Sequence, residues 1–213
     1  MRDPGEAGDS GSNPHSEISA LILAAGASQR MPGENKLLLE VRKKPMVEHV
    51  VEAVLGAGLK RVGVVTGYQA DRVGAALAAH PVSLVPNANH SEGMASSLRA
   101  GLDWLPPASD GVLICLGDMP GLRPAHIKAL IRAFAQQTPP KICAAGHRGV
   151  RGNPVLWPRA YFEAIRALDG DRGARSLLTR YSDRVALIDV GSAAVLQDVD
   201  TPADLIRESE RAG

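Results

Sequence analysis

Short apolar runs alternate with segments of helical periodicity along most of this chain. The apolar runs predict strands at residues 18–24, 62–65, 82–85, 111–116, 141–145 and 185–188. Apolar positions at helical spacing predict helices near residues 45–55, 69–79, 93–105, 124–136 and 161–168. Strands that alternate with helices indicate βαβ crossovers and a mainly parallel sheet, in which ligands gather at the carboxyl ends of the strands.

A late hairpin interrupts this alternation. The run at 141–145 turns through Gly146 and Gly149 into an extended segment at 151–156. We therefore predict a three-layer α/β/α, Rossmann-like fold with a mainly parallel central sheet and a late antiparallel hairpin. Residues 17–213 are expected to form a single domain. Residues 1–16, which are rich in Gly, Ser, Asp and Pro, are expected to be a disordered lead-in.

Charge and composition narrow the range of partners. Of 213 residues 45% are hydrophobic, and 24 Lys and Arg residues balance 23 Asp and Glu residues. The resulting charge of +1 offers no global field for nucleic acid or an anionic membrane, so any anion site must be local. Cys115 and Cys143 lie in apolar runs without metal-ligand spacing, which favours core positions in a reducing cytoplasm. We expect no membrane span or signal peptide, since no apolar run is long enough.

The segment after the first predicted strand has the features of a phosphate-binding loop. Its relevant residues are Leu23, Ala24, Ala25, Gly26, Ser28, Arg30 and Lys36. The small alanines and the glycine let a ligand approach backbone N–H groups, while the serine, arginine and lysine suit a polyphosphate. The spacing matches neither G-x-x-x-x-G-K-[ST] nor G-x-G-x-x-G. An ordinary turn with solvated cations is the alternative interpretation.

Further candidate binding residues follow the later predicted strands. They are Thr66, Gly93, Ser96, Ser97 and Asp118. The glycine and the two serines open a predicted helix, whose N-terminus is suited to hold an anion, although the serines are equally suited to act as helix caps. The aspartate follows a buried central strand. It is suited to bind Mg²⁺ beside phosphates, and a cap for the next helix is the alternative.

Two carboxylates near the end of the chain need an explanation. Thr201 is suited to cap a helix with Pro202 at its first position and Asp204 at its third. This local role does not explain Asp198 and Asp200, which precede that helix.

Several ordered motifs between residues 18 and 205 resemble those of a known family. They are L-A-A-G-x-S-x-R-M-x-G-x-x-K, E-G-M-x-S-S-L, L-G-D-M-P, R-G-N-P-V-L, G-D-x-G-A-R and D-V-D-T-P-x-D-L. This set resembles the small nucleotidyltransferases of molybdenum-cofactor maturation, the family that includes molybdenum cofactor cytidylyltransferase. The last motif also resembles strings in cytidylyltransferases of sugar activation.

The resemblance implies a reaction and a set of residue roles. CTP and molybdenum-bound molybdopterin would give molybdopterin cytosine dinucleotide and pyrophosphate, with Mg²⁺ as cofactor. Lys36, Arg30 and Asp118 would have catalytic roles, and Asp118 and Asp200 would bind the metal. Nucleotide binding is implied for Leu23, Ala24, Ala25, Gly26, Ser28, Arg30, Lys36, Thr66, Gly93, Ser96, Ser97 and Asp118.

The same resemblance places the second substrate near Gly152, Asn153 and Arg175, although a plain surface role for Arg175 is equally plausible. Pro32 departs from the pattern, because relatives often have Gly there, and it alters the expected path of the loop. Three alternatives stay open: use of GTP, nucleotidyl transfer to another small phosphate, and a non-catalytic carrier of the finished cofactor. A transient contact with a molybdoenzyme or its insertion chaperone is also implied.

Overall fold

A computed structural model of the chain describes residues 17–27, 35–171 and 173–210. Its strands are β1 (Ile18–Ala24), β2 (Glu40–Val41), β3 (Lys44–Pro45), β4 (Val62–Thr66), β5 (Ser83–Pro86), β6 (Gly111–Leu116), β7 (Ile142–His147), β8 (Val150–Pro158) and β9 (Val185–Asp189). Its α-helices are α1 (Met46–Gly56), α2 (Ala70–Ala76), α3 (Met94–Trp104), α4 (Pro124–Ala135), α5 (Phe162–Arg166), α6 (Arg175–Arg180) and α7 (Pro202–Glu210). The predictions for residues 1–16, Ser28, Arg30 and Pro32 lie outside the described residues.

A large mixed sheet forms the middle layer. Its strand order across the described residues is β5-β4-β1-β6-β8-β7-β9. β1 lies between β4 and β6 and pairs in parallel with both, so that Leu23 is opposite Val65 on one side and Leu116 on the other. β8 runs antiparallel to both of its neighbours, β6 and β7. The predicted parallel sheet with a late antiparallel hairpin is therefore confirmed.

Helices cover both faces of this sheet. Ile22 of β1 packs into a cluster that includes side chains of α1, α2 and α4. The neighbouring Leu21 points to the opposite face and packs with α3, α5 and α6. Because successive side chains of a strand point to opposite faces, the buried neighbours Leu21 and Ile22 show that β1 is covered on both faces. The three-layer arrangement is confirmed, and Cys115 and Cys143 are buried within it.

The β2–β3 pair and α6 were not predicted, and some predicted helices are longer than the observed ones. β2 and β3 form a separate antiparallel pair joined by Arg42 and Lys43, and two-residue strands leave no periodic signal. The predicted helix at 161–168 is only five residues long as α5, because Tyr161 belongs to a short 3-10 helix and the α-helix ends at Arg166. Within the described residues, every helix is too short or too polar to span a bilayer.

Candidate active site

The carboxyl ends of β1 and β6 open into a cavity of about 760 Å³, which we call the first cavity. Predicted site residues that line it are Leu23, Ala25, Gly26, Lys36, Gly93, Ser97, Asp118 and Asp200. The position agrees with the rule that ligands bind beyond the carboxyl ends of parallel strands. Asp118 and Asp200 lie 82 and 164 positions from Lys36 in the sequence, and both contact it in this site.

Lys36 lies at the centre of the first cavity's polar wall. It opens a short 3-10 helix, Lys36–Leu38, whose preceding residue Asn35 is buried and accepts a hydrogen bond from the Leu37 N–H. The Lys36 Nζ lies 2.7 Å from Asp118 Oδ2 and 2.6 Å from Asp200 Oδ1. Burial alone would lower the pKa of Lys36, but the two carboxylates together raise it. The ammonium therefore stays charged at neutral pH.

Three carboxylates meet beside this ammonium. Asp118, Asp198 and Asp200 each offer an oxygen within 4.8 Å of the others. Asp118 Oδ1 is buried and has no hydrogen-bond partner within the described part of the chain. Burial raises the pKa of Asp118, Lys36 opposes that shift, and the charge of Asp198 adds to it. The three carboxylate groups supply oxygen donors and negative charge of the kind that a divalent cation binds.

Backbone contacts bring the two distant aspartate loops together. The Gly117 N–H donates to the Leu23 carbonyl at 3.0 Å, which extends the pairing of β1 and β6 to the residue before Asp118. The Val199 N–H donates to the Asp118 carbonyl at 2.9 Å and ties the later loop to the earlier one. A Cβ at residue 117 would lie 2.9 Å from the Leu23 oxygen, so the close approach requires glycine there.

The Thr201 cap holds the segment that follows Asp200. The Asp204 carboxylate accepts hydrogen bonds from the Thr201 N–H at 2.9 Å, the Thr201 hydroxyl at 2.7 Å and the Asp200 N–H at 3.3 Å. The Asp204 N–H donates in return to Thr201 Oγ1. This reciprocal capping box confirms the local interpretation of Thr201 and Asp204.

Asp204→Asn is expected to lower the stability of the protein at neutral pH. The Thr201 hydroxyl, Arg207 and the two backbone N–H groups hold the pKa of Asp204 at about 2, below its ordinary 3.8. A depressed pKa contributes stability above pH 4, and that contribution is lost as the pH falls towards 2. Melting temperatures of wild type and variant should differ at pH 7 and converge near pH 2. A difference that is constant with pH would contradict this origin.

The N-terminus of α3 contacts protein groups in this structure. Gly93 has a φ of 98°, and a Cβ there would lie 2.9 Å from the Gly170 carbonyl group. The Ala95 N–H donates to Gly170 O at 3.0 Å, and the Met94 N–H donates to Asp171 Oδ1 at 3.2 Å. The N-terminus of this helix was predicted to bind an anion, and these two backbone N–H groups donate to protein oxygens instead. Gly170 and Asp171 themselves line the first cavity.

The two serines of α3 differ in their surroundings. Ser97 lines the first cavity, whereas Ser96 lies outside its lining and donates a hydrogen bond to Gly93 O at 2.8 Å. The Asn87 side-chain amide donates to both hydroxyls, at 2.9 Å and 3.0 Å. Ala24 and Thr66, two further predicted nucleotide-binding residues, are buried and also lie outside the cavity lining.

A second cavity of about 580 Å³ adjoins the first. Gly152, Asn153 and Arg175, the residues predicted near the second substrate, all line it. Its walls are largely apolar and include Leu98, Ile114, Met119, Val155, Trp157 and Leu178. The residues that border both cavities are Leu23, Met94, Leu116 and Asp198. Two ligands bound in the two cavities would therefore meet beside the carboxylate cluster.

Asp198 is the cluster member to which the sequence analysis gave no role. The D-V-D string could have predicted it. Alternate residues of an extended segment point to the same side, so Asp198 lies on the side of Asp200. Val199 points the other way and packs with Val41, Met46 and Leu205. His90, Glu92 and Asp171 also line the first cavity and were not predicted.

The fold and this site define a nucleotidyltransferase, an enzyme that transfers a nucleotide from a nucleoside triphosphate. The chain belongs to the family described as the MobA-like NTP transferase domain, whose model matches residues 20–185.

Two curated relatives align over most of the chain. Nicotine blue oxidoreductase of Paenarthrobacter nicotinovorans is 31% identical over 198 residues, which cover 89% of this chain and 95% of the relative. The purine catabolism protein PucB of Bacillus subtilis is 29% identical and covers 90% of this chain and 97% of its own length.

A solved structure has the same fold. Rv0371c from Mycobacterium tuberculosis superposes with a TM-score of 0.81 at 28% identity, covering 92% of this chain and 99% of that one. The same mycobacterial protein in complex with manganese gives a TM-score of 0.75 and covers 91% of this chain and 97% of that one.

Proposed function

We propose that this enzyme transfers CMP from CTP to the terminal phosphate of molybdenum-bound molybdopterin, in an Mg²⁺-dependent reaction that releases pyrophosphate. The observation that carries the proposal is the meeting of Lys36, Asp118 and Asp200 where two cavities join. The manganese complex of the mycobacterial relative supports a dependence on a divalent cation. The buried free thiols Cys115 and Cys143 support a reducing cytoplasm as the compartment.

The proposed reaction needs no protein nucleophile. A phosphate oxygen of the acceptor, held in the second cavity, forms a bond to the α-phosphorus of CTP, and the bond from that phosphorus to the bridging oxygen breaks. The charged Lys36 ammonium stabilises the negative charge of the reacting phosphates. Mg²⁺ bound by Asp118 and Asp200, when present, would neutralise the phosphate oxygens further.

The base preference is expected to depend on Ala25. This residue lines the first cavity, where its methyl group occupies space that a glycine would leave open. We expect CTP to react better than GTP, and Ala25→Gly to reduce that preference. One methyl group supplies about 1–3 kcal/mol of discrimination, which is 10- to 200-fold in kcat/KM.

The measurement is the ratio of kcat/KM for CTP and GTP at matched Mg²⁺, with Ala88→Gly, an exposed position outside the first cavity, as the control. Equal or faster turnover with GTP in the wild-type enzyme would replace the cytidylyl assignment with a guanylyl one. An unchanged ratio in Ala25→Gly would remove Ala25 from base selection.

The overall proposal is tested with a panel of four nucleoside triphosphates and a molybdopterin-type acceptor, scored for pyrophosphate. Release that requires both CTP and the acceptor supports the proposal. Release with CTP and a different phosphate acceptor changes the substrate. Tight nucleotide binding without any release supports a carrier, whose transient contact with a molybdoenzyme or insertion chaperone would then be its main activity.

A second candidate function comes from the relative named as an oxidoreductase. The largely apolar second cavity, with Trp157 in its wall, is also suited to a flat organic molecule. The same preparations are therefore tested for a change in the absorbance of nicotine blue. Redox turnover without pyrophosphate release would favour this second candidate.

A further inference from the structure

The turn between β2 and β3 has an unusual backbone. Arg42 and Lys43 have φ values of 52° and 66°, so both lie in the left-handed region. Two-residue hairpin turns of this kind favour Asn and Gly, because side chains with a Cβ are strained there. Both residues are therefore strained, and Arg42 is distinguished by the contacts of its side chain.

The Arg42 side chain contacts the Asp118 loop and α7, the helix that follows Asp200. Its Nη2 donates to the Pro120 carbonyl at 2.6 Å, two residues after Asp118. The same nitrogen lies 3.8 Å from Glu208 Oε1 on α7, the helix that follows Asp200. The Glu208 carboxyl group is 90% buried, and a Cβ at Gly121 would lie 3.1 Å from its oxygen. Arg42 is therefore packed between the Asp118 loop and α7.

Apolar packing joins the same three segments. Val41, which precedes Arg42, packs with Val199 and Leu205 on either side of Asp200. The Val199 N–H is bonded to the Asp118 carbonyl. β2 thus packs against the segment that carries Asp200, and Arg42 adds polar contacts to the Asp118 loop and α7. Arg42 does not line the first cavity.

We propose that Arg42 is a positioning residue for the divalent-cation site: by holding the Pro120 carbonyl and Glu208, it fixes Asp118 and Asp200 at the spacing that binds the ion. This inference rests on the proposed cation-dependent function. Groups that orient metal ligands typically change metal affinity by about 10- to 100-fold when they are removed. The expected effect of Arg42 on cation affinity is indirect, because its side chain contacts the Pro120 carbonyl and Glu208 and does not line the first cavity.

The test compares Arg42→Asn with Lys43→Asn in the full chain. Asn suits the left-handed turn at either position, so both variants relieve backbone strain, but only the first removes the guanidinium. Mn²⁺ is titrated into each protein, and free Mn²⁺ is followed by electron paramagnetic resonance. Arg42→Asn is expected to bind Mn²⁺ about tenfold more weakly, Lys43→Asn like wild type, and Arg42→Lys in between.

Melting temperature and pyrophosphate release are measured on the same samples. A lower melting temperature with wild-type Mn²⁺ affinity in Arg42→Asn would overturn the positioning role and leave the proposed function in place. A wild-type protein that neither binds Mn²⁺ nor releases pyrophosphate would remove the proposed function and this inference together. If Arg42→Asn does not fold, Glu208→Gln tests the contact from α7, and unchanged Mn²⁺ affinity there overturns the proposal.

Discussion

Lys36→Met is expected to lower kcat by roughly 100-fold or more, with a smaller effect on nucleotide affinity. Methionine keeps the apolar stem of the lysine and removes its charge. The charge of the reacting phosphates changes most on the way to the transition state, so the loss falls mainly on kcat. The measurement is steady-state pyrophosphate release together with equilibrium binding of CTP.

The same variant has a second expected effect that does not depend on turnover. Because the Lys36 ammonium lies 2.7 Å and 2.6 Å from two carboxylates of the cluster, removing it leaves those carboxylates more negative towards a cation. Lys36→Met should therefore bind Mn²⁺ more tightly than wild type in the absence of nucleotide. Lys43→Met, at an exposed lysine of the β2–β3 turn, is the matched control. Normal kcat and unchanged Mn²⁺ affinity would make Lys36 a simple structural cation.

Strands that are buried on both faces could be predicted, because such strands are continuous apolar runs in the sequence. The uniformly apolar run of β6 predicted a central strand, and the structure places this strand between β1 and β8. The β2–β3 pair was not predictable, since its two-residue strands have no periodicity and its turn lacks Asn and Gly. Its form depends on tertiary contacts made by Val41 and Arg42.

The candidate site was predictable where motif residues follow a strand. Lys36 and Asp118 follow β1 and β6, and the sheet rule alone places both at one edge. Asp200 could be joined to them only through the family resemblance, because no strand ends directly before it. The contact of Asp171 with the start of α3 had no sequence signal at all. It joins residues 77 positions apart through a loop whose course depends on the packing of α5 and α6.

The structure also bears on the alternative interpretation of Asp118 as a helix cap. The residue before α4 is Arg123, whose N–H donates to the Nδ1 of His126, so the cap of α4 is made without Asp118. Asp118 instead has one oxygen bonded to Lys36 and the other buried without a partner among the described residues. Its local environment therefore points to a ligand outside the protein.

Asp118→Asn and Asp200→Asn are each expected to lower pyrophosphate release by roughly 100-fold or more while the protein still folds. In either single variant, Lys36 keeps a carboxylate partner, because its ammonium is bonded to both aspartates in the wild type. Nucleotide binding without Mg²⁺ should be equal or better, since one negative charge beside the triphosphate has been removed. Asp103→Asn, an exposed aspartate paired with Arg166, is the matched control for the substitution itself.

The combined Asp118→Asn and Asp200→Asn variant is expected to be little worse than the more damaged single variant. Both carboxylates act through one bound ion, and the effects of residues that act as a unit are not additive. Melting temperature, Mn²⁺ affinity and Mg²⁺-dependent turnover are measured on the same three preparations. Losses that multiply in the double variant would indicate two independent roles. Variants that are destabilised yet fully active per folded molecule, with unchanged Mg²⁺ dependence, would remove both aspartates from the site.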